Sequence, residues 1–193
     1  MKAMKISGSF LFMLIFATLF SLTAATAKTP ANVSGSVSVT GLVEKPFTIT
    51  PESIRSMHPV ERENSAIVCD SGQTRKTLKS YRGVLLRDVL DSAKVVMPNS
   101  KERGEYAVLV RSTDNYNVLF SYNELQYSTA GDNTWLIFEE NSKPIRDDGL
   151  FVVFCSNDKF TGPRHVKYVN ALEVLKIDAG KKLPLNCKDP SMK

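Results

Sequence analysis

Three short segments carry residue types whose spacing could do chemistry. The first opens with Cys69 and runs through Asp70, Gly72, Gln73 and Arg75. A thiol at a strand end, beside a loop with several cations, is placed to be a thiolate. Nearby positive charge lowers a thiol pKa and favours metal ligation or nucleophilic attack. The same position suits a structural half-cystine or a small buried apolar residue. The second segment is Ser112-Thr113-Asp114-Asn115-Tyr116. A carboxylate in a tight turn between strands ordinarily accepts backbone amides. It can also receive two parallel N–H donors from a heterocycle. The third is Gly162-Pro163-Arg164-His165-Val166-Lys167-Tyr168. Arg164 and Lys167 follow a glycine-bearing loop and are three apart. Two cations converging on one side suit a phosphate or another anion; a solvated charged face is the plainer alternative.

Elements must hold these segments. Val37, Val39, Leu42 and Val43 mark a first strand within 35–43. Thr50-Pro51-Glu52 is a helix start: hydroxyl cap, proline at the first helical position, then an acid near the positive end of the dipole. A strand over 65–69 ends at Cys69, and the polar residues 70–82 read as a loop. Val84, Leu86, Val89, Leu90 and Ala93 follow the spacing of an amphipathic helix over 84–94. Strands are expected at 105–111, 115–120, 134–139 and 150–154, with a last strand region at 165–177. Ser121 and Glu124 have the spacing of a capping box before a short helix. Residues 141–144 form a turn, as do Asp147-Asp148-Gly149 before strand 150–154. Trp135, in an apolar run, belongs in the core. Strands dominate and helices are short and scattered, so the class is mixed α+β, in a single domain.

The chain's beginning bears on where any chemistry happens. Lys2 and Lys5 precede an apolar stretch from Phe10 to Leu22, and Ala25-Thr26-Ala27 is a small-x-small cleavage pattern. The stretch is short of the ~20 residues that cross a bilayer. Residues 1–27 therefore read as a cleaved signal peptide, 28–34 as a leader, 35–177 as the domain and 178–193 as a tail. The expected location is periplasmic or secreted. No twin-arginine pair precedes the apolar stretch, which points to the general export route, where chains pass unfolded.

Composition narrows the classes. The 193 residues are 42% hydrophobic and 23% charged, with formal net charge +5. These are globular proportions, not those of a collagenous, low-complexity or disordered chain. No basic stripe with interleaved aromatics is present, so nucleic acid is not an expected partner. Cys69, Cys155 and Cys187 predict one disulfide and one odd thiol in an oxidising compartment, with the pairing open. With two histidines, His58 and His165, and no His-Glu-x-x-His, a histidine-based zinc site is not expected.

The order of segments adds a resemblance. "VSVTGLVEKPFTIT", "IVCDSGQTRK", "YRGVLLRDVLDSA", "AVLVRSTDNY", "DDGLFVVF" and "GPRHVKYVNALEVLKI" follow one another. This series resembles the molybdopterin-binding domain of the sulfite oxidase family, in its small exported bacterial form, over nearly all of 35–177. The most specific pieces are the motifs at 81–90 and 162–168. The resemblance implies a mixed, mostly β fold that binds a pterin in a cleft. Cys69 falls where the family's enzymes place the thiolate that ligates molybdenum. Arg164 and Lys167 fall where the family grips the phosphate end of the cofactor. Asp114 and Tyr116 match a family Asp-Gly-Tyr turn, with Asn at 115. Arg75 matches more loosely, because the enzymes have a shorter Cys-to-Arg spacing.

The family also has small exported members that bind a metal-free pterin and act as sensors, touching a membrane-bound enzyme that makes or degrades cyclic-di-GMP. The export signal favours that branch, because molybdenum cofactor is inserted into folded protein in the cytoplasm. The leading expectation is a non-catalytic, metal-free pterin-binding sensor. Its roles are Asp114 toward the amino-pyrimidine edge, Tyr116 for stacking, and Arg164 and Lys167 for the side-chain end. The first alternative is a molybdopterin-dependent oxidoreductase with Cys69 on the metal, and the second a ligand-free interaction module.

Overall fold

The computed structural model describes residues 34–177. The expected signal peptide, nearly all of the leader, the tail and Cys187 lie outside them. Along the chain run β1 (Val37–Gly41), β2 (Phe47–Ile49), β3 (Val60–Val68), β4 (Thr74–Leu85), α1 (Leu86–Ala93), β5 (Tyr106–Ser112), β6 (Val118–Ser121), α2 (Tyr122–Tyr127), β7 (Thr134–Glu140), β8 (Lys143–Pro144), β9 (Val152–Cys155) and β10 (Val169–Lys176). They form two sheets. One has the order β2-β1-β10-β5-β6; in the other, β3 pairs β4, β4 pairs β7, and β7 also pairs β8 and β9. β1 and β10 are parallel, with Ser38 opposite Ala171, although they lie at opposite ends of the domain sequence.

The apolar run of β7 is continuous because both of its faces are buried. Leu136 and Phe138 join a core shared by both sheets and α1, together with Val39, Leu90, Val110, Phe120, Val153 and Leu172. Trp135 and Ile137 face a second cluster with Ile67, Leu78, Tyr81 and Phe154. Trp135 is 2% exposed, so its expected place in the core is the observed one. It meets Tyr81 edge-on at 6.1 Å between ring centroids.

Several local expectations need correction. The polar stretch 70–82 is mostly strand, because β4 begins at Thr74 and forms a long hairpin with β3. Its first half pairs with β3 alone, and β7 joins only from Tyr81 onward. Residues 74–77 are consequently exposed and carry the polar composition of a loop. Val84 belongs to this strand and α1 starts at Leu86; both side chains fill the same core, which extends the helical spacing one step too far. β2 was not anticipated. The Thr50 signal precedes a single 3-10 turn, Ser53–Ser56, instead of an α-helix, and the turn is entered through Glu52. Ser53 N donates to Thr50 Oγ1 at 3.2 Å and Thr50 N donates to Ser53 Oγ at 2.8 Å. α2 begins after Ser121, but Ser121 makes no side-chain cap bond.

Candidate functional site

The three chemistry-bearing segments meet on one side of the domain. Cys69 ends the β3 side of the hairpin, where Cys69 N donates to Gln73 O at 2.9 Å and Gly72 N donates to Cys69 O at 2.9 Å. Thr161 fastens the third segment to this strand end. Its Oγ1 donates to Ala66 O at 2.7 Å and accepts from Val68 N at 2.8 Å. Gly162 can then lie against the strand; a Cβ there would come within 2.8 Å of Val68 O, so the close approach requires glycine.

The second segment docks on the third. Thr113 N donates to Tyr168 O at 3.1 Å, and the Tyr116 hydroxyl donates to Pro163 O at 2.8 Å. Asn115 has φ +68, a left-handed conformation that asparagine tolerates in place of glycine. Asp114 Oδ1 accepts from Tyr116 N at 3.0 Å and from the Ser112 hydroxyl, which fixes the carboxylate in the turn.

The result is a cleft of about 530 Å³ lined by Cys69, Asp70, Arg75, Lys76, Asp114, Tyr116, His165 and Lys167, among others. That size is ordinary for a small-molecule site. Cys69, Asp114, Tyr116, Lys167 and Arg75 are thus brought together. Arg164 is not among the lining residues. Its Nε instead donates to Asp158 Oδ2 at 2.7 Å and its Nη1 to Glu124 Oε1 at 2.9 Å. A second bond reaches Asp158 Oδ1, and the guanidinium stacks 4.9 Å from the Phe120 ring centroid. The hydrogen bonds it donates to Asp158 hold Arg164 more firmly protonated than an ordinary arginine. The expected convergence of Arg164 and Lys167 on one anion is corrected: the two cations diverge. Glu124, the second member of the expected capping box, serves Arg164 instead.

Lys167 does face the cleft, and its Nζ lies 2.6 Å from Asp148 Oδ1. Lys76 pairs with Asp148 Oδ2 at 3.4 Å and, more closely, with Glu140. Asp148 and Glu140 are each 9% exposed. Burial raises the Asp148 carboxyl, but Lys167 and Lys76 outweigh it and hold the group below the usual range. Burial likewise disfavours the Lys76 ammonium, yet Glu140 and Asp148 raise its pKa. His165 lies against this group, 8% exposed, with no hydrogen-bond partner for its Nε2. Burial pushes its pKa down to about 4, with Lys167 and Lys76 adding to that against the pull of Asp148. The imidazole is therefore neutral near pH 7.

The sequence marks Asp147-Asp148-Gly149 as a turn, and Gly149 does adopt φ +88 there. What the sequence does not mark is Asp148 beneath the cleft, with Lys76, Glu140 and His165. No spacing links these four residues; only the sheet brings them together.

The two thiols differ. Cys69 is partly exposed and lines the cleft, whereas Cys155 is fully buried; among the described residues both are free, and they are not joined to each other. The Cys69 sulfur, the Asp114 carboxylate and the cleft lysines suit a pterin-containing group: a thiolate for a metal, a carboxylate for the amino-pyrimidine edge, and N–H donors for ring and side-chain oxygens.

Comparisons with known proteins agree with the fold. A family model described as the oxidoreductase molybdopterin binding domain matches residues 28–182. Among solved structures, the sulfane dehydrogenase SoxCD from Paracoccus pantotrophus is similar, with a TM-score of 0.57 and 19% sequence identity. The likeness covers 72% of this chain and 37% of that chain, so this chain spans little more than a third of its neighbour's length. No curated protein matches.

Proposed function

Because this chain belongs to the oxidoreductase molybdopterin-binding domain family, whose fold is that of sulfite oxidase, we propose that its cleft holds a metal-free pterin and that the protein is a periplasmic, non-catalytic sensor. The observation that carries this reading is the divergence of Arg164 from Lys167. Of the two cations expected to grip a phosphate, one is tied to Asp158 and Glu124 away from the cleft, and the other is paired with Asp148. A phosphate-free pterin needs neither. Asp114 accepts from its amino-pyrimidine edge, Tyr116 stacks on or beside it, and Arg75 covers the open end. Residues 1–27 supply export by the general route, and a membrane-bound cyclic-di-GMP enzyme is the proposed partner.

A second reading rests on the free Cys69 thiol in the same cleft. When a molybdenum-bearing pterin is bound, that group supplies oxygen-atom transfer. The chain's own part is to offer the Cys69 sulfur and to orient the pterin through Asp114.

One preparation separates the two readings. Protein isolated from its native host is assayed for molybdenum per chain and for extractable pterin fluorescence. Pterin without molybdenum is expected, and Asp114→Ala should abolish the pterin signal in correctly folded protein. Molybdenum near one per chain overturns the sensor reading and favours the Cys69 oxidoreductase. Unchanged pterin retention in the Asp114 variant removes that residue from the site.

A further inference from the structure

The charges around the cleft are arranged in a way that pterin binding alone does not require. Arg75, Lys76 and Lys167 face it, together with Asp70 and Asp114. Behind the lysines stand Glu140 and Asp148, each almost fully buried. Three cations thus meet four carboxylates. Asp148 is central, because one of its oxygens takes Lys167 at 2.6 Å and the other faces Lys76 at 3.4 Å.

Asp148 is also fixed from the backbone. Its carbonyl accepts from Tyr168 N at 2.8 Å, and the Tyr168 hydroxyl donates to Asp147 O at 2.7 Å. Tyr168 has φ +52, an unusual conformation for an aromatic residue, directly after Lys167. The backbone therefore holds the carboxylate and the lysine against each other. Glu140 keeps one oxygen, Oε1, without a partner, as His165 does its Nε2. One ligand atom each from Glu140, Asp148 and His165 lie within 4.8 Å of one another. The two ammonium groups already balance both carboxylates, so this cluster is complete in charge.

We infer that Asp148, with Glu140 behind it, is a specificity-determining residue: by neutralising Lys167 and Lys76 it makes the cleft select a pterin with an uncharged side chain over a phosphorylated one. This deepens the proposed function and rests on its pterin site. An anionic ligand must compete with a buried carboxylate for the same ammonium groups, and like charges placed against each other disfavour the wrong partner. An uncharged side chain meets no such competition.

The test uses the mature chain, with neopterin, its side-chain monophosphate and inorganic phosphate as probes, by calorimetry at fixed ionic strength. The wild type should bind neopterin in preference to its phosphate ester. Asp148→Asn should strengthen binding of inorganic phosphate and of the ester about tenfold or more, which is about 1.4 kcal/mol, and leave neopterin within about twofold. Adding Lys167→Met to Asp148→Asn should cancel that gain, which a merely structural role for Asp148 would not produce. Glu140→Gln should shift the ratio in the same direction by less, and serves where the Asp148 variant fails to fold. Unchanged phosphate affinity in both folded carboxylate variants overturns the inference, whatever neopterin does. A gain in phosphate affinity with no neopterin binding by any variant overturns the pterin reading and leaves the charge assignment standing.

Discussion

Arg164 and Lys167 are three residues apart and carry the same charge, yet they do different work. Arg164 is outside the cleft, 24% of its side chain exposed, with two bonds to Asp158, one to Glu124 and its guanidinium over the Phe120 ring. Lys167 sits on the cleft wall, 44% of its side chain exposed, against Asp148. His165, between them, is buried and neutral. A short stretch of chain therefore contributes a structural clamp, a buried imidazole and a ligand-facing cation. Equal charges at close spacing share a site only when the backbone turns them the same way. Here Arg164 closes a 3-10 turn at Gly162–Arg164, and Val166, just before Lys167, is held in an antiparallel bridge to Val153, so the two side chains reach different partners.

The contrast can be broken at its middle first. His165 has a folded pKa of about 4 against an ordinary 6.5, because burial disfavours the cation. Its neighbours in charge are Asp148, Lys167 and Lys76. Between these values the unfolded chain takes up the proton and the folded chain does not. Stability should accordingly be highest above about pH 6.5 and fall as the pH drops toward 4, by up to about 3 kcal/mol from this residue. Urea titrations across pH 4–7 should show that slope, and His165→Gln should flatten it. An unchanged slope in the variant would assign the loss to other groups.

Next in size is the clamp. Arg164→Ala leaves Asp158 and Glu124 without their partner and uncovers Phe120. It should cost about 2 kcal/mol in urea denaturation, while ligand affinity at a temperature where the variant is folded stays near that of the wild type. Lys167→Met should do the reverse, changing stability by less than about 1 kcal/mol while altering affinity for charged ligands. Equal losses of affinity in the two variants would erase the distinction between them.

The smallest disturbance compares the two thiols. A thiol-reactive reagent should label Cys69 in the native protein and reach Cys155 only on unfolding, because Cys155 is fully buried and burial pushes its thiol pKa up. Mass spectrometry of tryptic peptides before and after denaturant reads this directly. Native labelling of Cys155 would mean that the 155–164 side opens.

Much of the architecture was legible because it depends on local pattern. The apolar runs at 134–139 and 150–154 read as strands, and those strands, Thr134–Glu140 and Val152–Cys155, are buried; Leu86, Val89, Leu90 and Ala93 read as one face of a helix and are its buried residues. The exposed half of β4 was not legible, because a strand paired on one side and open to solvent has no apolar alternation to announce it. Cys69, Asp114, Tyr116 and Lys167 were legible as candidates, since each combines a reactive side chain with a strand end or tight turn.

The mostly β class and the short list of reactive residues are readable from the sequence. These follow from residue type and near-neighbour spacing. The tertiary structure alone decided that Arg164 leaves the cleft, that Lys76 enters it from a strand read as a loop, and that Asp148 and Glu140 stand behind both lysines. Those facts depend on which way a side chain points and on strand pairings between residues tens of positions apart. Electrostatic balance in a cleft is a sum over such distant partners, and no local window of sequence contains it.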